Sequence, residues 1–160
     1  MPNYKPTNSV SYDIVVGNNF KTIAEGCAAF GLKPNKRGWI ILAGARFENA
    51  SKPDADLENV TLWFPNTKNN HWNNTFNKDV IIETPKDMTK NQKQINKFLK
   101  TYELRITFLK DKGNYEFVGV YELDKDETKR LNKCVWRRVL SAFSPDLHEI
   151  KDYINQIRTI

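Results

Sequence analysis

The sequence predicts an α+β domain: about six or seven short strands in a twisted antiparallel or barrel-like sheet, with about three flanking helices. Three observations carry this. Residues 102–139 hold strand-like, aromatic-rich segments separated by turn residues and dense in lysine and arginine. Two stretches, residues 86–100 and the run after Ser144, space their apolar residues as a helix does. The 160 residues are 39% hydrophobic and 28% charged, a balance that suits one folded core rather than a disordered chain. At that length roughly two-thirds of the unfolded surface can be buried without disulfides or metals.

Taken in order, residues 1–9 are polar and rich in Pro and Asn, and are expected to form a flexible arm; residues 10–160 are expected to be a single domain. Residues 10–16 alternate apolar and polar and predict a strand. Asn18 or Asn19 is expected to cap a helix over 22–30, which Gly31 stops and Pro34 prevents from continuing. Gly26 inside that helix costs up to about 1 kcal/mol relative to alanine, which points to a close neighbour there.

Residues 39–43 are continuously apolar, as in a strand covered on both faces, and Trp39 is expected in the core. Residues 51–56 read as an exposed loop, and residues 60–64 as a strand halted by Pro65. A polar loop over 66–76 carries Trp72 and Phe76, and residues 80–83 return to strand.

In the helix over 86–100, Ile95, Phe98 and Leu99 line one side, and Lys86, Lys90, Lys93, Lys97 and Lys100 populate the rest. Strands over 102–108 and 115–123 flank a Lys112-Gly113-Asn114 turn, and a charged connection over 125–133, expected to hold a helical turn, leads to a strand over 135–139. The last helix is expected to start with Ser144 at the N-cap and Pro145 behind it, with Leu147, Ile150, Ile154 and Ile157 as its apolar stripe.

The formal net charge is +6, and the larger part of the excess lies beyond residue 80. That favours a polyanionic partner, and rings interleaved with cations suit nucleic acid, because rings stack on bases and cations meet phosphates. No apolar run is long enough to span a bilayer and the first residues lack signal-peptide order, so no membrane partner and a cytoplasmic location are expected.

Constellations for catalysis are thin. His71 and His148 are the only histidines, Cys27 and Cys134 have no metal spacing, and no glycine-rich phosphate loop occurs, so no cofactor and no metal are expected. Both cysteines read as small buried hydrophobes. The loop from Trp63 to Phe76 is the most unusual local feature, because Trp72-Asn73-Asn74 sets an indole beside two amides. Amides can pair with a base edge and an indole can cover a base face; alternatively Trp72 plugs the underside of the domain and the asparagines bond to backbone. Arg137 and Arg138, with Lys133 and Arg130 upstream, form the densest cationic patch, and strand alternation sends the two arginines to opposite faces.

The segment Tyr115-Glu116-Phe117-Val118-Gly119-Val120-Tyr121-Glu122-Leu123, followed after a charged insert by Val135-Trp136-Arg137-Arg138-Val139, resembles the end of PUA-like barrels. It is most similar to the SRA-like modules attached to modification-dependent restriction enzymes. The Trp72-Asn73-Asn74 loop leading into Val80-Ile81-Ile82-Glu83 is similar to a Trp-x-Asn segment of such modules, and the resemblance spans residues 38–140.

The resemblance implies a curved, partly closed antiparallel β-barrel whose concave face accepts a base swung out of the duplex, often a modified cytosine. It makes Trp63, Trp72, Asn73 and Asn74 pocket candidates, with Asp79 or Glu83 as the carboxylate for the cytosine amine. Lys133, Arg137 and Arg138 become contacts to the nucleic-acid backbone. No nuclease domain is recognisable beside the module, so either a lone reader or a part of a longer protein is expected. DNA is favoured over RNA.

The leading expectation is therefore a non-catalytic module that recognises a modified or flipped base. Two rivals stand beside it: a protein-interaction domain with a basic docking face, and a small divalent-metal nuclease using Asp54 and Asp79.

Overall fold

The computed structural model describes residues 13–29, 39–41, 59–68 and 71–158, with residues 39–41 and 158 by backbone only. Among these, the elements in chain order are β1 (Ile14–Val15), β2 (Asn19–Phe20), α1 (Ile23–Ala29), β3 (Trp39–Ile41), β4 (Val60–Trp63), β5 (Thr75–Asn77) and β6 (Val80–Glu83). A 3-10 turn, Met88–Lys90, runs into α2 (Asn91–Lys100), and β7 (Leu104–Lys110), β8 (Tyr115–Leu123), α3 (Lys125–Leu131), β9 (Cys134–Leu140), β10 (Ala142–Phe143) and α4 (His148–Arg158) follow. The main sheet has the order β3-β4-β7-β8-β9-β6-β5 with β2 added on β8, and β1 pairs with β10 separately. The sheet is curved and does not close: β3 and β5 remain its two edges.

The α+β class holds, with one difference in strand direction. β4 and β7 run parallel, whereas the other pairs are antiparallel. A parallel pair needs a long crossover, and here β5, β6 and α2 supply it. Residue alternation reports which face a side chain takes and says nothing of strand direction.

Curvature comes from β8. Its register slips against β7 beside Thr107/Phe108 and against β9 beside Val120/Tyr121. Gly119 sits between these slips with φ of 141°, and the Arg138 methylenes occupy the space its Cβ would need. Bulges of this kind bend a strand and increase its twist.

Both faces of the sheet are covered. On one, Val60, Leu62, Leu104, Ile106, Phe108 and Phe117 pack with Cys27, Ile150 and Ile154 from α1 and α4. On the other, Trp63, Ile81, Tyr121 and Trp136 pack with Ile95 and Phe98 of α2. Strand alternation explains the division: Leu62 and Trp63 are neighbours in β4 yet belong to different cores. Trp136, which alternation alone could assign to either face, is fully buried.

Several element boundaries differ from the sequence reading. The cap of α1 is Thr22, whose hydroxyl accepts the Glu25 amide at 3.0 Å, while Asn19 belongs to β2. The helical turn expected in the connection over 125–133 is a helix over Lys125–Leu131. Asp124 caps it by accepting the Glu127 amide at 3.0 Å, acids fill its first turn, Lys129 and Arg130 its last, and Asn132 ends it in the left-handed conformation. Helix α4 begins at His148 rather than behind Ser144, because Leu147 adopts φ of 63° and turns into the core. Ser144 still serves that terminus, its amide and hydroxyl both donating to the Glu149 carboxylate.

The expected close neighbour of Gly26 is the Phe64 ring. The side chain of Trp39, the loop at 51–56, Gly31, Pro34 and the arm at 1–9 lie outside the described residues. No helix of the described residues is long and apolar enough to cross a membrane.

Candidate functional site

A cavity of about 610 Å³ opens between α2 and the sheet face bearing Trp63 and Trp136. Its lining comes from four separate stretches. Trp63, Phe64, Pro65 and Asn66 arrive from the end of β4, Trp72, Asn74 and Glu83 from the β5–β6 ribbon, and Lys90, Lys93, Gln94, Lys97 and Phe98 from α2; Arg105 of β7 completes it.

Arg105 forms the floor. It is 3% exposed, its guanidinium carbon lies 3.7 Å from the Trp136 ring centre, 4.6 Å from Trp63 and 4.9 Å from Phe98. A buried cation needs partners, and it has two carboxylates. Arg105 Nη1 donates to both Glu83 oxygens at 3.2 Å, and Nε donates to Glu103 at 3.3 Å. Trp136 Nε1 also donates to Glu83 Oε1 at 3.2 Å. Glu83, which lines the cavity, is thereby held by two donors.

Trp72 and Asn74 are held by an extension of the β5–β6 pairing. Asn73 N–H donates to Thr84 O at 2.7 Å, Lys86 N–H donates to His71 O at 3.0 Å, and Trp72 stands opposite Pro85 in an isolated bridge. The Thr84 amide donates to Asn74 Oδ1 at 2.9 Å, which fixes the rotation of the side-chain amide. Extended backbone sends Trp72 and Asn74 to one side and Asn73 to the other, and Asn73 is exposed and does not line the cavity.

The lysines form the rim. Lys90, Lys93, Gln94 and Lys97 recur at i, i+3, i+4 and i+7, so they share a helix face, and all three lysines are exposed. Phe98 lines the cavity beside them and, with Ile95, fastens α2 to the sheet.

Of the residues singled out from the sequence, Trp63, Trp72 and Asn74 therefore converge on one cavity. Asp79 lies in the β5–β6 turn, 73% exposed at its side chain, and pairs with Arg138 at 2.8 Å. Arg138 Nη1 also donates to Val118 O at 3.2 Å. Arg137 pairs with Asp124 at 2.9 Å. Burial raises the Asp124 carboxyl, but the Glu127 amide and the Arg137 guanidinium outweigh it and hold the group below the usual range. Lys133 is half-buried between α3 and β9. None of Asp79, Lys133, Arg137 and Arg138 lines the cavity.

The sequence reading did not single out Arg105 or the α2 lysines for the site, and Glu83 stood in it only beside Asp79. Glu83 had a signal: it shares strand parity with the apolar Ile81, and both are buried. For the nuclease alternative, Asp54 lies outside the described residues. Among those residues one cluster of metal-ligating types occurs, Asp146, His148 and Glu149. Its carboxylates are engaged with the His148 ring and with Ser144.

The family model described as the SET and RING associated domain matches residues 12–144. The chain is also similar to the solved structure of the 5-hydroxymethylcytosine-specific restriction enzyme AbaSI, at 25% identity and a TM-score of 0.61. That match covers 82% of this chain and 42% of the other, so the chain spans less than half the length of that enzyme. No curated protein matches the sequence.

Proposed function

The chain belongs to the SET and RING associated (SRA) domain family, and from that premise we propose that it reads a modified cytosine in DNA by accepting the extruded base into the cavity beneath α2. The observation that carries this reading is the convergence of Trp63, Trp72, Asn74 and Glu83, from distant parts of the chain, on one cavity rimmed by lysines. A volume of about 610 Å³ suits a nucleoside-sized ligand.

The chemistry fits cytosine better than thymine. Glu83 presents an acceptor, and Asn74, its Oδ1 engaged by Thr84, offers its Nδ2 hydrogens as donors. Cytosine carries a donor amine at position 4 with acceptors at N3 and O2, and so matches an acceptor beside a donor. Thymine sets a carbonyl oxygen against the carboxylate, one acceptor facing another with no proton between them. Extrusion costs a few kcal/mol of stacking, least at a weakened pair. An aromatic wall returns about 1–3 kcal/mol per base. Lys90, Lys93 and Lys97 meet the phosphates on either side. In this reading the domain is the recognition part of a modification-dependent restriction system, like the enzyme whose structure it resembles.

The test is fluorescence anisotropy on duplexes of one sequence, with a single cytosine unmodified, 5-methylated or 5-hydroxymethylated. A modified duplex is expected to bind about tenfold tighter or more, a stacking-sized effect, and Trp72→Ala to erase that difference. Equal affinity for all three duplexes in the wild-type chain would remove base reading as the function.

A further inference from the structure

A second hollow, of about 390 Å³, adjoins the first and is lined by His71, Trp72, Pro85, Lys86, Asp87 and Lys90. Trp72 and Lys90 are the residues common to both. Trp72 and Lys90 thus border both hollows. We infer that the second hollow binds the nucleotide adjoining the extruded one on the same strand, its base against Trp72 and Pro85 and its phosphodiester against Lys86 and Lys90. This rests on the base-reading proposal for the first cavity.

Spacing supports it. Two rings in contact with opposite faces of an indole stand about 7–8 Å apart, because each contact spans about 3.5–4 Å. Successive nucleotides lie about 3.4 Å apart along a stacked strand, so a step opened by one inserted ring spans twice that. One strand can therefore leave a base in each hollow without spare chain between them.

The lining has the matching chemistry. Trp72 and Pro85 supply apolar ring faces, Lys86 and Lys90 supply charge, and His71 adds a ring nitrogen. Asp87 is the one carboxylate among the lining residues; the Thr89 hydroxyl and amide donate to its Oδ1 at 2.6 and 3.1 Å and, with the Lys90 charge, hold the carboxyl below its usual range. The walls are also tied in advance, since the Lys86 to His71 hydrogen bond and the bridge between Trp72 and Pro85 join the two sides of the hollow through backbone. A preformed wall spares the ligand the cost of ordering it.

The experiment titrates the full chain, by NMR, with 5-hydroxymethyl-2′-deoxycytidine and with the two dinucleotides that extend it by one thymidine on the 5′ or the 3′ side. One dinucleotide is expected to bind about tenfold tighter than the nucleoside, the size of one stacked base plus a phosphate contact. Lys86→Ala, which lies outside the first cavity, is expected to reduce that gain to about threefold or less while leaving nucleoside affinity unchanged. Nucleoside binding with no gain from either dinucleotide overturns this inference alone. A gain that survives Lys86→Ala intact also overturns it, because the neighbour then binds elsewhere. No binding of the nucleoside or of either dinucleotide overturns the base-reading proposal, and this inference with it.

Discussion

Arg105 is the second residue of β7, whose pattern, Leu104-Arg105-Ile106-Thr107-Phe108, reads as an apolar face and a polar face. The polar face is nevertheless covered, and Arg105 is 3% exposed beneath Trp63, Trp136 and Phe98. Its planar cation fits between rings and can fork toward Glu83 and Glu103, which an ammonium does not reproduce. Removing it leaves buried carboxylates unpaired. Arg105→Met is expected to destabilise the fold by about 3–5 kcal/mol in urea denaturation, and adding Glu83→Gln to recover part of that loss. Strict additivity of the two substitutions would show that the pair is not coupled.

At this scale residue chemistry drew notice to Trp72-Asn73-Asn74, an indole beside amides in a stretch too polar for core, and the resemblance added Trp63; Trp63, Trp72 and Asn74 line the cavity and Asn73 does not. The resemblance offered Asp79 or Glu83 as the carboxylate and placed Asp79 in the pocket. Only the covered face distinguishes them: Glu83 meets Arg105 and Trp136 there, while Asp79 stays in the turn with Arg138.

Among the elements, α1 acts on the cavity from behind. A Cβ on Gly26 would lie 2.7 Å from Phe64 Cε1, and the Phe64 ring has little room to yield. It stacks on Phe108 with centroids 5.0 Å apart and meets Tyr115 edge-on at 5.6 Å. Gly26→Ala gains up to about 1 kcal/mol of helix propensity but incurs about 1–3 kcal/mol of overpacking. A net loss is expected, lowering Tm by a few degrees in a thermal melt. Because Phe64 also lines the cavity, affinity for the modified duplex should fall with it. An unchanged Tm would mean the ring moves aside freely.

Helix α2 illustrates how far periodicity carries an element. Spacing assigned Ile95 and Phe98 to one side and the lysines to the other, and the structure agrees. That the lysine side overhangs a cavity depends on where the crossover between parallel β4 and β7 lays the helix down.

For the whole molecule, charge becomes a measurable slope. The formal net charge of +6 favours a polyanion, yet the cations are not equivalent. Arg137 and Arg138 are engaged by Asp124 and Asp79, whereas Lys90, Lys93 and Lys97 crowd one rim. Each phosphate neutralised adds about 0.9 to the slope of log affinity against log salt. Replacing all three lysines with glutamine is expected to lower the slope by roughly 2–3 while preserving the ratio between modified and unmodified duplexes, because phosphate contacts carry no base information. Replacing Arg137 and Arg138 instead should change the slope less. The reverse order, measured by salt titration of anisotropy, would move the backbone contacts to β9.

The sequence by itself determined the class of fold, seven of the ten strands among the described residues, the amphipathic faces of α2 and α4, the sign of the charge and the indole-and-amide character of the Trp72 loop. Each of these follows from local chemistry: period, capping, turn residues and side-chain type. Tertiary structure alone decided that β4 and β7 run parallel, that Arg105 is buried, that Glu83 rather than Asp79 joins Trp63, and that the α2 lysines rim the cavity. Those facts depend on which sheet face another element covers and in what register, and contacts between residues tens of positions apart leave no periodic trace in the chain.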